Sequence, residues 1–387
     1  MAGILFFAAD LAETAQLRRI RSFARAGYGV SSVSMRKPGA LQTVAADWPD
    51  LDLGTIANAR LGRRIGLALT SLGKLWRHRR MIGQSDLIVA RNIDMVLLAL
   101  LARRMARRRV PVIYECLDIH RLFIGTGVKA RLARWVERWV LKRVALLVVS
   151  SPGFMTHYFE PTQAYSGSWA LLENKLWFDG PALPRPRAVT QRSGPLVLAW
   201  VGSIRCQASL DLLCAVAAGM GDRLRIEIRG VIHDHALRDF HRQIAAHPNI
   251  RYGGPYAYPA GLAEVYGAGD LVWAQDLWQA GSNSDWLLPN RIYEASWFGC
   301  PSIAVACTQT AARIAADGLG FVIDRADPAS LQSLLDRLDR PTIAAVAGRI
   351  LQLSDAGLMV QPAELHAIFY RAVGHAEPTA GELVTVQ

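Results

Sequence analysis

The chain has 387 residues, of which 51% are hydrophobic and 20% charged, and a formal net charge of +12. That length suits two domains, and the composition supplies sizeable cores, which excludes a disordered or low-complexity protein. The five cysteines, at 116, 206, 214, 300 and 307, have neither zinc-type spacing nor the density of a disulfide scaffold. Most lie in apolar stretches and read as small core residues of a reducing compartment.

The N-terminal run "MAGILFFAADLAE" has no basic residues before its apolar part, so it reads as a first strand and not as a signal peptide. "GILFFAA" (3–9) precedes a helix to about 26, and "YGVSSVSM" (28–35) is the next strand. "DLIVAR" (86–91), a helix over 93–108, "VPVIYE" (110–115), a helix over 128–143 and "ALLVVSS" (145–151) complete the first half. Short β-rich apolar runs alternating with amphipathic helices predict a parallel sheet covered on both faces. The stretch "FDGPALPRPRAVTQRSGP" (178–195) has the proline, glycine and polar residues of a linker.

The alternation then restarts with "PLVLAWVGS" (195–203), a helix near 209–218, "RLRIEIRG" (223–230) and a helix near 234–246. "NIRYGGP", a helix around 259–267, "DLVWAQ" (270–275) and "LLPNRIYEASWFGCPSIAV" (287–305) follow, with a last helix over 361–375. The expected architecture is two doubly wound α/β domains facing a central cleft. They cover residues 1–178 and 196–360, joined by a linker at 179–195, with 361–387 a C-terminal helix and tail packing back on the first domain. No stretch reaches the roughly 18–20 apolar residues that span a bilayer, so a soluble, cytoplasmic chain is expected.

Charge is unevenly spread. Residues 1–150 hold 26 Lys and Arg against 10 Asp and Glu, whereas the rest holds 18 against 22. The first half therefore faces something anionic, with nucleic acid and a membrane surface as the candidates. Its basic segments are 60–80, 103–109 and "KARLARWVERWVLKR" (129–143). In the last, Arg131, Arg134, Arg138 and Lys142 share a helical stripe, with Leu132, Trp135, Val136 and Trp139 beside it. Arginine with tryptophan on an amphipathic helix suits an anionic leaflet, although for any one helix core tryptophans with solvated arginines are commoner. Three such segments favour docking at a membrane.

In doubly wound sheets, ligands lie outside the carboxyl ends of strands. Gly202 and Ser203 end one strand there; the glycine allows close backbone approach, and Arg205 is placed to reach a phosphate. Neither a G-x-G-x-x-G fingerprint nor a P-loop follows a first strand, which weakens NAD enzymes and P-loop NTPases. In "PNRIYEASWFGCP", Asn290 is the expected N-cap of a helix whose first amides point at any anion placed there. Arg291 adds a charge suited to a diphosphate, and Glu294, one turn on, can accept hydrogen bonds from a ribose diol. An i,i+3 ion pair would explain the two at a few tenths of a kcal/mol. A cation at the positive end of a helix dipole, however, is unfavourable unless an anion compensates it. In "VIYECLDIHRLF" (112–123), Asp118 and His120 fall in the turn after a buried strand, where a carboxylate can take a proton from an acceptor hydroxyl. Capping or turn formation is an equally common job for such residues.

Taken together, "GSIR", "YGG" and "PNRIYEASWFGCP" resemble the donor half of GT-B glycosyltransferases, closest to family four and its relatives in bacterial exopolysaccharide assembly. The resemblance implies that Glu294 holds the nucleotide ribose, that Arg291 faces the diphosphate, and that Ser203, Ile204, Gly254 and Pro255 line the nucleotide. The segment around Asp118 is similar to that of xanthan-type glucuronosyltransferases, which implies an aspartate base, with His120 second. This sequence has Trp286 where the family usually has another glutamate, and arginine replaces the usual lysine at 291. The family implies a nucleotide-sugar donor, UDP-glucose or UDP-glucuronate, and a lipid-linked oligosaccharide acceptor, with no metal or other cofactor. It also implies peripheral association with the inner face of the plasma membrane. Arg131, Arg134, Trp135, Arg138 and Trp139 would then meet the membrane and acceptor, with no nucleic acid involved. The one Asp-x-Asp triplet, Asp50 to Asp52, is expected in an early loop. The alternatives are a non-catalytic basic membrane- or nucleic-acid-binding protein and a nucleotide-sugar hydrolase.

Overall fold

A computed structural model of the chain describes residues 1–36, 46–55, 71–189 and 192–374. The expected segment 60–80 is therefore described only from residue 71, and the tail beyond 374 lies outside the described residues. Two compact units divide the described chain: one from 1–150, 155–172 and 361–374, the other from 151–154 and 173–360.

The sheet of the first unit contains β1 (Gly3–Ala8), β2 (Gly29–Arg36), β3 (Asp50–Thr55), β4 (Leu87–Arg91), β5 (Val112–Cys116), β6 (Leu146–Val149) and β7 (Trp169–Leu171). Its order is β3-β2-β1-β4-β5-β6-β7, with every pairing parallel. Ile4 to Ala8 and all of β4, β5 and β6 are buried. A parallel strand covered on both faces needs such an unbroken apolar run. Chain order reverses between β1 and β4, which is the switch point of the unit.

The second unit holds β8 (Leu196–Ile204), β9 (Leu224–Ile232), β10 (Ile250–Tyr252), β11 (Leu271–Trp273), β12 (Ser302–Val305) and β13 (Gly320–Ile323), in the parallel order β10-β9-β8-β11-β12-β13. Alternate residues of β8 serve two cores. Leu198 and Trp200 pack with the helix Gln207–Met220, and Ala199 and Val201 with the helices Leu262–Gly267 and Asn290–Trp297. Helices therefore cover both faces, and both units are doubly wound α/β structures as the alternation predicts.

Three features differ from the sequence reading. Asp50 and Asp52 lie on β3, at the edge of the sheet, not in a loop. Asp50 accepts hydrogen bonds from Ser32 Oγ at 2.5 Å and Ser34 Oγ at 2.8 Å, and Asp52 accepts one from Arg36 Nε at 3.0 Å, so the triplet ties β3 to β2. The described residues of the segment expected as a linker, 179–195, belong to the second unit. Arg185 donates to the carbonyls of Ile350 at 2.9 Å and Leu353 at 2.6 Å, and Trp297 Nε1 donates to Leu183 O at 2.9 Å. Proline and glycine are thus compatible with an ordered strap when one arginine satisfies several helix-end carbonyls. Finally, β7, β13 and the helices Gln309–Asp317, Pro328–Arg337 and Arg340–Leu351 were not anticipated.

Helix Pro362–Val373 is part of the first unit, where Tyr28 Oη lies 2.7 Å from His366 Nδ1 and the Tyr28 ring meets Phe369 at a 37° tilt with centroids 4.7 Å apart. A second polar feature of that unit is buried. Glu137 accepts from Tyr114 Oη at 2.9 Å, from Gln163 Nε2 at 2.6 Å and from Tyr158 Oη. Burial raises the Glu137 pKa, and the three donors act against that rise. The apolar helix pattern therefore hides an acidic residue whose donors come from β5 and from residues 158–163.

Candidate active site

In the second unit, three strand ends meet in register. Gly202 pairs with Gly230 across β8 and β9, and Gly230 N–H donates to Gly254 O at 3.0 Å. A Cβ on Gly230, where φ is +141°, would stand 1.8 Å from Gly202 O, so no side chain fits. Gly254, at φ +80°, has open space around its missing Cβ. The glycines thus form a floor with no side chains at the carboxyl edge of the sheet.

Above that floor is the helix Asn290–Trp297. Its N-cap is Pro289, extended at φ −74° and ψ 142° with no side-chain cap, so Asn290 is the first helical residue and not the cap. The reason is local: proline is fixed in the extended region that an N-cap takes, and it lacks the hydroxyl or amide that would cap. The helix ends in a Schellman turn. Gly299, at φ +69°, donates to Ser296 O at 3.1 Å, and Cys300 N–H donates to Ala295 O at 2.9 Å.

Arg291 and Glu294 turn to different partners. Arg291 Nη1 donates to Trp273 O at 3.4 Å, and its Nη2 lies 3.9 Å from the position of a Cβ on Gly202. Glu294 is 6% exposed and accepts from Tyr266 Oη at 2.8 Å. Burial first, and then the Glu294 carboxylate, push the Tyr266 and Tyr256 phenols well above their ordinary pKa, so both remain O–H donors. The Tyr266 ring stacks on Phe298 within 9° of parallel. Glu294 is therefore held in one orientation by a buried phenol that the sequence reading did not identify. Its signal was available: "AEVYG" puts tyrosine in the last turn of an amphipathic helix.

Ser203 Oγ lies 2.8 Å from His233 Nε2. Partial burial and then the Arg205 charge depress the His233 pKa, which favours a neutral imidazole. Arg205 itself reaches Asp276 at 3.6 Å, so the loop after β8 is tied to the loop after β11. Ile204 is fully buried in the core and Pro255 follows Gly254 at the glycine floor. At Trp286, the backbone carbonyl accepts from Ser151 Oγ. A Cβ on Gly153 would come 2.5 Å from that same oxygen, so Trp286 is part of a tight backbone contact.

The first unit carries its own set at the carboxyl ends of β4 and β5. Glu115, 2% exposed, accepts from Arg19 Nε at 2.6 Å and from Arg91 Nε and Nη2 at 3.1 and 3.0 Å. Burial works to raise its pKa, but Arg91 and then Arg19 outweigh burial and hold the carboxyl below its usual range. This buried trio fixes the strand end from which the next turn leaves. Asp118 is exposed in that turn, where its carbonyl accepts from Cys116 Sγ at 3.5 Å. His120 takes a structural position as N-cap of the helix Arg121–Ile124, its Nδ1 accepting from Leu122 N–H at 3.2 Å.

On the helix Val128–Leu141 the tryptophans are not core residues. Trp135 is 61% and Trp139 39% exposed, whereas Ala130, Glu137, Val140 and Leu141 form the buried side. Arg131 is exposed; Arg134 donates to the carbonyls of Phe123 and Gly125 at 2.8 and 2.6 Å, and Arg138 to Thr162 O at 3.2 Å.

Comparison with known proteins agrees with the fold of the two units. Residues 12–174 match the family described as glycosyl transferase 4-like domain. The chain is 36% identical over 355 residues to the succinoglycan biosynthesis protein ExoL of Rhizobium meliloti strain 1021, covering 90% of this chain and 88% of that one. Among solved structures, Anabaena Alr3699/HepE in complex with UDP and glucose is similar with a TM-score of 0.65 at 14% identity, over 93% of this chain and 96% of the other. Sucrose-phosphate synthase from Thermosynechococcus elongatus is similar with a TM-score of 0.67 at 13% identity, over 96% of each chain. The full-length relative, the family-four-like first domain and the two doubly wound sheets together show that the chain belongs to the GT-B glycosyltransferases related to bacterial exopolysaccharide enzymes.

Proposed function

We propose that this glycosyltransferase moves a hexose or hexuronic acid from a UDP-sugar, UDP-glucose or UDP-glucuronate, to a polyprenyl-diphosphate-linked oligosaccharide during exopolysaccharide assembly. The observation that carries the donor half is Glu294, buried and oriented by Tyr266, one turn after an arginine beside the Gly202 backbone. A carboxylate so fixed suits a ribose diol, and Arg291 with the uncapped helix amides suits the diphosphate. The uridine assignment draws support from the UDP complex of HepE, and the pathway from the succinoglycan protein.

In the transfer, the acceptor hydroxyl oxygen bonds to the anomeric carbon while the bond from that carbon to the diphosphate oxygen breaks. Asp118 takes the hydroxyl proton. The nucleoside diphosphate leaves with its charge offset by Arg291 and the helix amides, so no metal is needed. The exposed tryptophans of the helix Val128–Leu141, among basic side chains, support a membrane-facing first unit at the cytoplasmic side, where a lipid-linked acceptor would be met.

Calorimetric titration with a panel of UDP- and GDP-sugars in EDTA tests this. A UDP-sugar is expected to bind in EDTA, Glu294→Ala to lose that binding, and Asp118→Asn to bind normally while transferring no sugar. Binding that requires a divalent cation, or full turnover by Asp118→Asn, would overturn the respective assignment.

A further inference from the structure

Strands β8 and β9 stay in register beyond the glycine floor, with Ser203 against Val231 and Ile204 against Ile232. His233 N–H then donates to Ile204 O at 3.0 Å, which carries the ladder one step further and fixes the histidine backbone. Successive residues of a strand face opposite sides of the sheet. Ile204 packs with Leu198 and Trp200, so Ser203 faces the side on which Ala199 and Val201 meet the helix Asn290–Trp297. Ser203 is exposed there, one residue after the Gly202 that Arg291 Nη2 approaches. His233 Nε2 lies 2.8 Å from its Oγ.

A serine helps to hold an anion only when its hydroxyl hydrogen points at that anion. The oxygen must then accept a hydrogen bond from elsewhere, and an imidazole N–H supplies it. The opposite arrangement, Ser203 donating to Nε2, turns the hydrogen away. Charges around the ring set the balance between the two. Arg205 acts on it from the loop after β8, and Asp234 and His235 from its own loop, with the His235 ring 5.8 Å away and edge-on. Asp276 is drawn to Arg205 at 3.6 Å, and Asp211 to Arg238 at 3.6 Å. Partial burial first, and then Arg205, lower the His233 pKa. A phosphate oxygen beside Ser203 acts in the opposite direction and raises it.

We propose that His233 is a positioning residue for the leaving diphosphate: it takes a proton from solvent as charge builds on the terminal phosphate oxygen, and its Nε2–H turns the Ser203 hydroxyl toward that oxygen. This role rests on the donor-site reading above. The bond from the anomeric carbon to the diphosphate oxygen breaks with its electron pair on that oxygen. The proton on His233 comes from water, apart from the acceptor proton that goes to Asp118. A free nucleoside diphosphate carries more charge on its terminal phosphate than a nucleotide sugar does, so the pair favours the departing product over the intact donor. The added affinity is complete below the histidine's pKa in the free protein and is lost as pH rises through its higher pKa in the complex.

Calorimetry of the full chain with UDP and with UDP-glucose tests this. Titrations at about pH 7 in two buffers of different ionisation enthalpy count the protons taken up, and titrations from about pH 8 to about pH 6 give the affinity profile. His233→Gln keeps an amide donor for Ser203 Oγ but cannot take a proton, and His233→Asn supplies the same comparison if the glutamine variant does not fold. The parent protein is expected to take up a fraction of a proton with UDP. It should also gain on the order of 10-fold in affinity over that range beyond the gain of His233→Gln. The terminal phosphate of UDP itself titrates near pH 6, at about the value of a phosphate monoester, but it does so with both proteins and cancels in the comparison. UDP-glucose should show the same linkage at smaller size. Ser203→Ala should lose most of the pH-dependent gain, because the imidazole then has no hydroxyl to turn; a full gain in that variant would overturn the route through Ser203. Identical proton counts and pH profiles in the parent and the His233 variants would overturn the role and leave His233 as a tether between two loops. A parent protein that binds neither UDP nor UDP-glucose at any pH would overturn the donor-site reading as well.

Discussion

At the scale of single residues, the proposed roles separate holding from chemistry. Removing the Glu294 carboxylate should weaken UDP-sugar binding by about 1.5–3 kcal/mol, the range for a hydrogen bond to a charged group. Tyr266→Phe should show a smaller loss, about 1 kcal/mol, because the carboxylate remains but loses its fixed orientation. A Tyr266→Phe variant with unchanged affinity would show that the phenol only fills the core. Glu115 makes a stability prediction. Replacing it with glutamine leaves Arg19 buried without a counter-charge and Arg91 with only the partly exposed Glu13 at 3.8 Å, and unfolding in urea should show a loss of about 3–5 kcal/mol. Its folded pKa is depressed, so its contribution is complete above the unfolded value of about 4.3 and fades as pH falls through the folded value. The Glu115→Gln variant should therefore show a flatter stability profile on the acid side than the parent protein. The Arg291–Glu294 spacing, Asp118 and the strand-end glycines were all legible in the sequence. The pairings of Tyr266 with Glu294 and of His233 with Ser203 were not, because each residue reaches its partner from an element distant in sequence, even though the place of Tyr266 on its helix was readable.

Among the elements, strands were easier to read than caps. Continuous apolar runs locate β1, β4, β5, β6 and β8 because both faces of each are covered. Strand β3, "DLDLGT", escapes that rule: it lies at the sheet edge, and its aspartates are satisfied by Ser32, Ser34 and Arg36 of its neighbour. The cap of the helix Asn290–Trp297 moved by one residue, since Pro289 takes the extended conformation that Asn290 was expected to hold. The glycine floor gives a paired test. Gly230→Ala meets Gly202 O at 1.8 Å and should destabilise the protein by about 2–4 kcal/mol, with loss of donor binding. Gly254→Ala, with strain but no clash, should lose about 1–2 kcal/mol. Equal effects of the two in urea titrations would contradict the close approach of β8 and β9.

For the whole molecule, charge asymmetry is the dominant feature. The excess of basic residues in 1–150 is plain from the sequence, but not which apolar residues accompany them to the surface. The helix Val128–Leu141 has Trp135 and Trp139 exposed and a carboxylate, Glu137, on its buried side, the reverse of what amphipathic patterning favours. Trp135→Ser/Trp139→Ser should reduce vesicle partitioning by on the order of 10-fold while changing stability by less than about 0.5 kcal/mol, as exposed substitutions do. A large fall in melting temperature would instead identify the tryptophans as packing residues.

The sequence by itself determined the class of both sheets, the strand ends where glycines gather, and the helix start that bears Arg291 and Glu294. Those properties follow from local patterns: hydrophobic period, glycine at strand ends, and charge at a helix start. Tertiary structure decided what depends on long-range partners. Tyr266 orients Glu294, two arginines from other elements bury Glu115, the supposed linker is strapped to helix-end carbonyls, and the tryptophans face outward. The first three pair residues far apart in the chain, and all four are settled by sheet order and packing.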